Sequence, residues 1–147
     1  MSKSNKVVTK SFPGASIEDM EDFIRPITRK QPENIVLHIG TNDLRSSQSA
    51  QQIAESIVNL ADQVQSDSPS TQVSISAILF RRESELWTKA QEVNKLLRRF
   101  CNNRGWDFIL NDNIDAGCLN RGGLHLNLKG VRELSSNYST HIDSKLN

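Results

Sequence analysis

This chain of 147 residues contains few cysteines and few aromatic residues, and its positive and negative charges nearly balance. Its two cysteines, Cys101 and Cys118, show no CxxC spacing and no neighbouring histidine cluster, which favours free thiols over a disulfide or a metal site. The net charge is +1, from 18 basic and 17 acidic side chains, and 5% of residues are aromatic. Domains dedicated to nucleic acids usually have a basic excess and exposed aromatic residues, so we expect no binding of nucleic acid by this domain alone.

Long apolar runs are also missing. No segment approaches the length of a membrane span, and the first ten residues, MSKSNKVVTK, contain no hydrophobic signal core. These two absences predict an intracellular, cytoplasmic protein. The length and the composition, with 36% hydrophobic and 24% charged residues, are typical of one globular domain over residues 1–147.

Apolar and polar residues follow one another in a pattern that predicts alternating strands and helices. We expect strands over residues 6–12, 34–39, 73–80 and 106–110, and helices over residues 16–24, 49–65, 87–102 and 127–142. Ser16 is expected to cap the first helix, whereas Pro26 is expected to kink it, end it or begin another turn. Crossovers long enough to be helices imply an α/β fold, a parallel sheet between two helical layers.

Two short segments place polar residues next to these elements. In LHIGTNDLR, residues 37–45, a buried strand is followed by Gly40, Asn42 and Asp43. Glycine there indicates an unusual backbone or a close approach. Asn42 is then a candidate hydrogen-bond donor at the edge where ligands bind in open α/β sheets. Alternatively, Asn42 and Asp43 form only a turn or a cap.

The second segment, GGLHLNLKG, covers residues 122–130 and contains His125 just before a predicted N-cap at Asn127. An imidazole at a loop-to-helix junction suits general acid–base chemistry, although a histidine between two leucines is also a common core residue. Gly14 follows Pro13 at a predicted strand end, either as an anion-binding backbone N–H or as a plain turn glycine. His38 and His141 are interpreted as structural or surface residues.

Taken in order, these segments resemble the SGNH, or GDSL-type, hydrolase family. Gly14 matches the glycine of its second block, Gly40, Asn42 and Asp43 match the GxND pattern of its third, and His125 matches the histidine of its fifth. The run GGLHLNLKG is particularly similar to the esterase domains of LINE-type retrotransposons, which suggests a retroelement-derived domain. The resemblance implies a three-layer α/β fold of the flavodoxin-like type and hydrolysis of small esters or acylated substrates.

The resemblance also assigns roles to individual residues. Gly14, through its backbone N–H, and Asn42, through its side-chain amide, form an oxyanion hole, supported by Gly40 and Asp43. His125 is the base that activates the family's serine and then protonates the leaving group. No cofactor and no metal are implied, and the oligomeric state is left open.

Two features of the family are missing from the sequence. Its first block, a strand followed by Gly-Asp-Ser, has no counterpart, so no nucleophile is assigned. The position of the triad aspartate, three residues before His125, is held by Gly122, and Asp112, Asp115 or a backbone carbonyl is left to orient the imidazole. We therefore expect an esterase-like domain that is inactive as given.

In the family's strand order, 2-1-3-4-5, the missing strand is central. We therefore expect either an N-terminally truncated domain or a rearranged four-stranded sheet in which the N-terminal strand pairs with residues 35–39. The alternative function is a non-catalytic α/β interaction module or a retroelement relic.

Overall fold

Three parallel strands form the centre of the fold in a computed structural model that describes residues 7–123 and 125–145. They are β1 (Asn34–Leu37), β2 (Gln72–Ser76) and β3 (Asp107–Ile109), adjacent in that order. The helices are α1 (Ile17–Phe23), α2 (Arg25–Thr28), α3 (Ala50–Asp67), α4 (Ser84–Arg104) and α5 (Leu128–Lys145). Short 3-10 turns cover Thr41–Asp43 and Ala116–Cys118.

The two faces of the sheet differ in chemistry. Successive strand residues point to opposite faces, so Val73 and Ile75 of β2 point to one side and Ser74 and Ser76 to the other. Val73 and Ile75 belong to the apolar core formed with α3 and α4. Ser74 and Ser76 contact α5 instead. Helices therefore cover both faces of a parallel sheet, and the predicted three-layer α/β fold is confirmed.

Helix α3 shows why the apolar core forms on its side of the sheet. Its apolar side chains recur at helical spacing and are at most 2% exposed: Ile53, Ile57, Leu60 and Val64. Burying each such side chain stabilises the fold by roughly 1.5–3 kcal/mol. Ser49 caps the helix in a reciprocal box with Gln52. None of the helices in the described ranges is long and apolar enough to cross a membrane.

Helix α5 packs against the sheet mainly through polar groups. The Oγ of Ser74 lies 2.8 Å from Nε2 of His141, and the hydroxyl of Tyr138 donates to Ser76 at 2.9 Å. Lys145 forms an ion pair with Asp107 of β3. Gly130 is the buried residue of the helix, and a Cβ there would collide with the carbonyl oxygen of Cys118. The polar face of the sheet thus holds α5 by hydrogen bonds rather than by an apolar stripe.

Ser16 and Pro26 show how the first helical segment is divided. Ser16 forms a capping box with Asp19, as predicted. Helix α1 ends at Phe23, and Pro26 occupies the first turn of the separate helix α2, where its missing N–H has no intrahelical partner to lose. Of the three alternatives for Pro26, the structure shows the beginning of another turn.

The predicted strand over residues 6–12 is wrong for its described part. Residues 7–12 are irregular, and Lys6 lies outside the described residues. Val7 and Val8 are 64% and 58% exposed, while the ring of Phe12 stacks on Phe23 with centroids 5.0 Å apart. A β-branched run without a neighbouring strand loses the cross-strand contacts that stabilise it, so residues 7–123 and 125–145 do not form the rearranged four-stranded sheet.

β1 is consequently an edge strand within the described part of the chain. The N–H of Gln72 donates to the carbonyl oxygen of Glu33 at 2.8 Å, and the register pairs Ile35 with Val73. Since backbone direction alternates along a strand, the even-numbered residues 34 and 36 turn their backbone groups to the outer edge. That edge offers donors and acceptors to a further strand.

β2 is shorter than predicted and ends at Ser76. Beyond it, a side chain of α4 takes the place of a neighbouring strand as hydrogen-bond partner of the backbone. The side-chain amide of Asn94 accepts from the backbone N–H of Ile78 at 2.8 Å and donates to the carbonyl of Ile78 at 3.0 Å. Residues 77–80, predicted as strand, therefore lie outside β2, and the backbone groups of Ile78 keep hydrogen-bond partners in Asn94.

Candidate functional site

A cavity of about 210 Å³ lies beyond the carboxyl ends of β1 and β2, at the sheet edge that the sequence predicts for a ligand. Segments that follow β1 and β2 and the segment before α5 contribute its walls. The lining residues are His38, Thr41, Leu79, Phe80, Arg81, Leu119, His125 and Leu126. Apolar side chains and a small number of polar groups therefore meet in one place, as is typical of small-molecule sites.

Gly40 allows the chain to turn sharply after β1. Its φ is +108°, and a Cβ would lie 3.0 Å from Cδ1 of Ile57 and 3.2 Å from Cδ1 of Ile78. Both the backbone conformation and the packing therefore need glycine. The predicted supporting role of Gly40 stays a prediction, but its physical basis is the close approach of the Thr41–Asp43 turn to the core.

Asp43 connects this turn to helix α1. Its Oδ2 accepts a hydrogen bond from the backbone N–H of Ile17 at 3.2 Å. Asp43 is 8% exposed, and burial raises the pKa of its carboxyl, while the bond from Ile17 acts in the opposite direction. Asp43 thus anchors the turn to the start of α1, and its supporting role at the site stays a prediction.

Asn42 and the Gly14 turn lie side by side. The side-chain amide of Asn42 donates to the carbonyl oxygen of Ala15 at 2.9 Å. Gly14 has a φ of +77°, and Ala15 N–H donates to Phe12 at 3.1 Å, as in a turn with proline and glycine at its centre. An amide nitrogen carries two hydrogens, so Asn42 keeps one donor for a ligand. The structure therefore brings the two predicted oxyanion donors into one neighbourhood.

His125 is held by its backbone while its side chain is exposed. Its carbonyl accepts from Asn120 N–H at 2.8 Å, and Leu126 forms a bridge with Leu119. Leu124 lies outside the described residues. The imidazole lines the cavity with Thr41, the residue before Asn42, whereas Asn42 and Gly14 are not among the lining residues.

Asn127 fixes the junction between His125 and α5. Its Oδ1 accepts from the N–H of Gly130 at 2.9 Å, which confirms the predicted N-cap. Its Nδ2 donates to the carbonyl of Gly117 at 2.8 Å and to that of Leu119 at 3.2 Å. One side chain therefore holds both the helix start and the loop before His125.

Neither predicted substitute for the triad aspartate reaches His125. Oδ1 of Asp115 accepts from Gly117 N–H at 2.9 Å, and Asp112 is exposed. No described residue forms a hydrogen bond with the imidazole of His125. Both aspartates therefore match their other interpretation as turn residues.

The described walls of the cavity contain no serine and no cysteine. Cys101 is buried in α4, where burial raises the pKa of its thiol to about 11 and keeps it protonated. Among the residues that the structure describes, no group of three or more histidine, cysteine or acidic side chains is arranged to hold a metal ion. The site thus offers hydrogen-bond donors and one exposed imidazole.

His38, for which the sequence predicts a structural or surface residue, lines the same cavity as His125. Its Nδ1 lies 3.0 Å from Oγ of Ser76, and burial lowers the pKa of its imidazole to about 4. The signal in the sequence was its position two residues before Gly40, at the end of β1. Its partner on β2 lies 38 residues away, so the contact itself had no local signal.

Comparisons with known proteins point in the same direction as this geometry. The sequence profile of the GDSL-like lipase/acylhydrolase family matches residues 2–132. No curated protein sequence matches the chain.

Solved structures with a similar fold come from several bacteria. The lipase/acylhydrolase from Enterococcus faecalis is 17% identical with a TM-score of 0.74, over 90% of this chain and 72% of that one. A mutant of an acetyl-xylooligosaccharide esterase from Geobacillus is 10% identical with a TM-score of 0.69, over 85% and 66%. A carbohydrate acetylesterase from Sinorhizobium meliloti is 16% identical with a TM-score of 0.69, over 84% and 67%.

Proposed function

Because the chain belongs to the GDSL-like lipase/acylhydrolase family, we propose that its site binds small carboxylic esters and carries the oxyanion-stabilising and general-base groups for their hydrolysis. The hydrogen bond from Asn42 to Ala15 supports this proposal most directly, because it joins the Gly14 turn to the turn that follows β1. His125 lines the cavity next to that turn.

In the proposed reaction, a nucleophile attacks the ester carbonyl and negative charge develops on the carbonyl oxygen. The backbone N–H of Gly14 and the free amide hydrogen of Asn42 donate to that oxygen, and such a donor typically contributes about 10²–10³ in rate. His125 accepts the proton of the nucleophile and passes it to the departing alkoxide, which leaves as an alcohol. It then accepts a proton from a water molecule that attacks the acyl group and returns it to the nucleophile as the carboxylic acid is released.

We further propose that the 147 residues do not supply the nucleophile. The described walls of the cavity hold neither serine nor cysteine, and the buried Cys101 thiol lies in α4. The purified chain is therefore expected to hydrolyse p-nitrophenyl acetate at close to the buffer rate. A longer form with an apolar strand ending in Gly-Asp-Ser before residue 1 is expected to hydrolyse it, and His125→Ala is expected to abolish that activity.

The oxyanion hole can be tested on the chain as it is, by NMR titration with ethyl methylphosphonate, a stable tetrahedral anion. We expect shifts of the Gly14 backbone and Asn42 side-chain amide signals. Asn42→Asp, which keeps the shape but removes both donors, is expected to weaken binding at least tenfold. Asn59→Asp on the exposed side of α3 is the charge-matched control. Equal affinity in wild type and Asn42→Asp would exclude this oxyanion hole.

A second candidate, a non-catalytic interaction module, is favoured by the outer edge of β1, which pairs with no strand among the described residues. Its backbone groups are arranged to receive an extended segment of another chain by strand addition. Lys or Pro substitutions at Val36 are expected to block such a partner while leaving phosphonate binding unchanged. The two functions are thus separable in one set of variants.

Three sequence-based expectations stay predictions: a cytoplasmic location, an origin in a retroelement and the absence of nucleic-acid binding.

A further inference from the structure

The imidazole of His38 is fixed on one side by a buried hydroxyl and is open on the other. Its Nδ1 lies 3.0 Å from Oγ of Ser76, a residue that is 1% exposed. No described residue forms a hydrogen bond with its Nε2. Oδ1 of Asn120 is the fully buried side-chain atom without a partner in the described part of the chain, so the unpaired Nε2 of His38 is not fully buried. The space that His38 lines is the cavity it shares with His125.

The direction of the hydrogen bonds around Ser76 follows from Asn111. Its Nδ2 lies 2.8 Å from the carbonyl oxygen of Ala77, which can only accept, so this amide atom is the nitrogen. The same nitrogen donates its other hydrogen to Oγ of Ser76 at 2.9 Å. The amide oxygen accepts from Asn137 at 3.0 Å. The orientation of Asn111 is therefore set by its partners.

Ser76 then has one group left for His38. Its oxygen accepts from Asn111 and from the hydroxyl of Tyr138, which donates at 2.9 Å. A hydroxyl has two acceptor sites and one proton, so the proton of Ser76 is directed to Nδ1 of His38. The imidazole accepts at Nδ1 and carries its own hydrogen at Nε2. Burial lowers the pKa of His38 to about 4, so the ring stays neutral at neutral pH.

The cavity also holds His125, the group assigned to protonate the leaving alcohol. Gly14 and Asn42, assigned to the carbonyl oxygen, lie outside its lining. The alcohol part of an ester therefore enters the cavity, against apolar walls that include Leu79, Phe80 and Leu126. Thr41 and Arg81 line the same cavity, and Nε of Arg81 is paired with Glu83 at 3.4 Å. His38 contributes an uncharged donor to this mixed lining.

We propose that His38 determines substrate specificity: its Nε2–H donates to a neutral oxygen, an ether or a hydroxyl, in the alcohol part of the bound ester. This inference rests on the proposed function. The recognised substrate class is esters of oxygen-substituted alcohols, in preference to esters of plain alkyl alcohols. A neutral imidazole hydrogen matches such an oxygen because neither partner carries a charge.

The first test is the tautomer of His38, read from two-bond proton–nitrogen correlations in the NMR spectrum of the wild-type chain. We expect a hydrogen on Nε2 and a bare Nδ1, and Ser76→Ala is expected to shift the Nδ1 signal because its donor is lost. A hydrogen on Nδ1 in the wild type would overturn the inference without reference to any ligand.

The second test compares two esters that differ by one atom, ethoxyethyl acetate and pentyl acetate, in which a methylene replaces the ether oxygen. The preference is measured as the dissociation constant of pentyl acetate divided by that of ethoxyethyl acetate. We expect this ratio to be about fivefold larger in the wild type than in His38→Asn, which corresponds to one neutral hydrogen bond. His38→Asn keeps a polar group near Ser76 but does not reach the Nε2 position. His38→Gln places an amide hydrogen near Nε2 and is expected to keep the preference.

The outcomes distinguish a failure of this inference from a failure of the proposed function on which it rests. Binding of both esters with equal preference in wild type and His38→Asn overturns the role of His38 and leaves the ester site standing. Failure of both esters to shift the signals of Asn42, His125 and His38 overturns the proposed function and the inference together.

Discussion

A Cβ atom at Gly40 would lie 3.0 Å from Cδ1 of Ile57, in the core-facing side of α3. The backbone of the turn that carries Asn42 therefore packs directly against the apolar core, because Gly40 has no side chain. The position of the candidate oxyanion donor depends on this contact between a glycine and an isoleucine.

Gly40→Ala is expected to destabilise the fold by about 2–4 kcal/mol, because it combines overpacking with a φ of +108°. Urea unfolding of Gly105→Ala provides the control, since Gly105 has a φ of +72° but open space where its Cβ would lie. If Gly40→Ala lowered the free energy of unfolding by no more than Gly105→Ala does, the contact with Ile57 would not contribute to the destabilisation.

Asn94→Ala is expected to destabilise the fold by about 2–4 kcal/mol, because it leaves the N–H and the carbonyl of Ile78 without partners. Asn94→Asp keeps the acceptor for the N–H but places a carboxylate oxygen against the carbonyl oxygen of Ile78, so it is also expected to destabilise the fold. Thermal unfolding would measure both variants, with Asn59→Ala on the exposed side of α3 as the control. A loss in either Asn94 variant no larger than that of Asn59→Ala would contradict the double hydrogen bond.

Asn127→Ala is expected to cost about 1–2 kcal/mol through the lost N-cap, and to loosen the loop before His125 as well. Asn127→Asp keeps the acceptor for Gly130 N–H while losing both donations to the loop. Hydrogen exchange at Gly130 and at Asn120 would separate the two effects. Faster exchange at Asn120 in Asn127→Asp, with Gly130 unchanged, is the expected pattern.

Acid is expected to destabilise the wild type through His38. Its pKa is about 4 in the folded state and 6.5 in the unfolded chain, so between these values the unfolded state alone binds the proton. Stability should therefore fall as the pH decreases from 6.5 towards 4, by up to about 3 kcal/mol. The stability of wild type relative to His38→Gln, measured by urea unfolding at each pH, isolates this share because Asp43 and His141 titrate in both proteins. If the difference in free energy of unfolding between wild type and His38→Gln did not change with pH, the prediction for His38 would be wrong.

Local patterns in the sequence were sufficient for much of the fold. The helical spacing of Ile53, Ile57 and Leu60 predicted α3, and the caps at Ser16 and Asn127 were found where their side chains precede helices. Each of these features depends on neighbours a few residues away. The order of strands and helices follows from these local features. Since each crossover between strands is long enough to be a helix, a parallel sheet is expected.

The features that were missed depend on distant partners. Residues 7–12 have the composition of a strand, but composition does not provide a neighbouring strand to pair with. Beyond the end of β2, the backbone of Ile78 is bound by Asn94, 16 residues further along the chain. The contact between His38 and Ser76 joins the residue after β1 to the end of β2, and the sequence, which does not show it, indicates only a structural or surface residue at His38.

The polar packing of α5 has a consequence for how the domain opens. Since Ser74, Ser76 and Asp107 hold this helix by hydrogen bonds and an ion pair, its undocking exposes less apolar surface than the removal of α3 would. Such an opening has a small heat-capacity change and a weak dependence on denaturant. The segment with α5 and His125 can therefore open as a separate cooperative unit, while the core built by α3 and α4 stays folded.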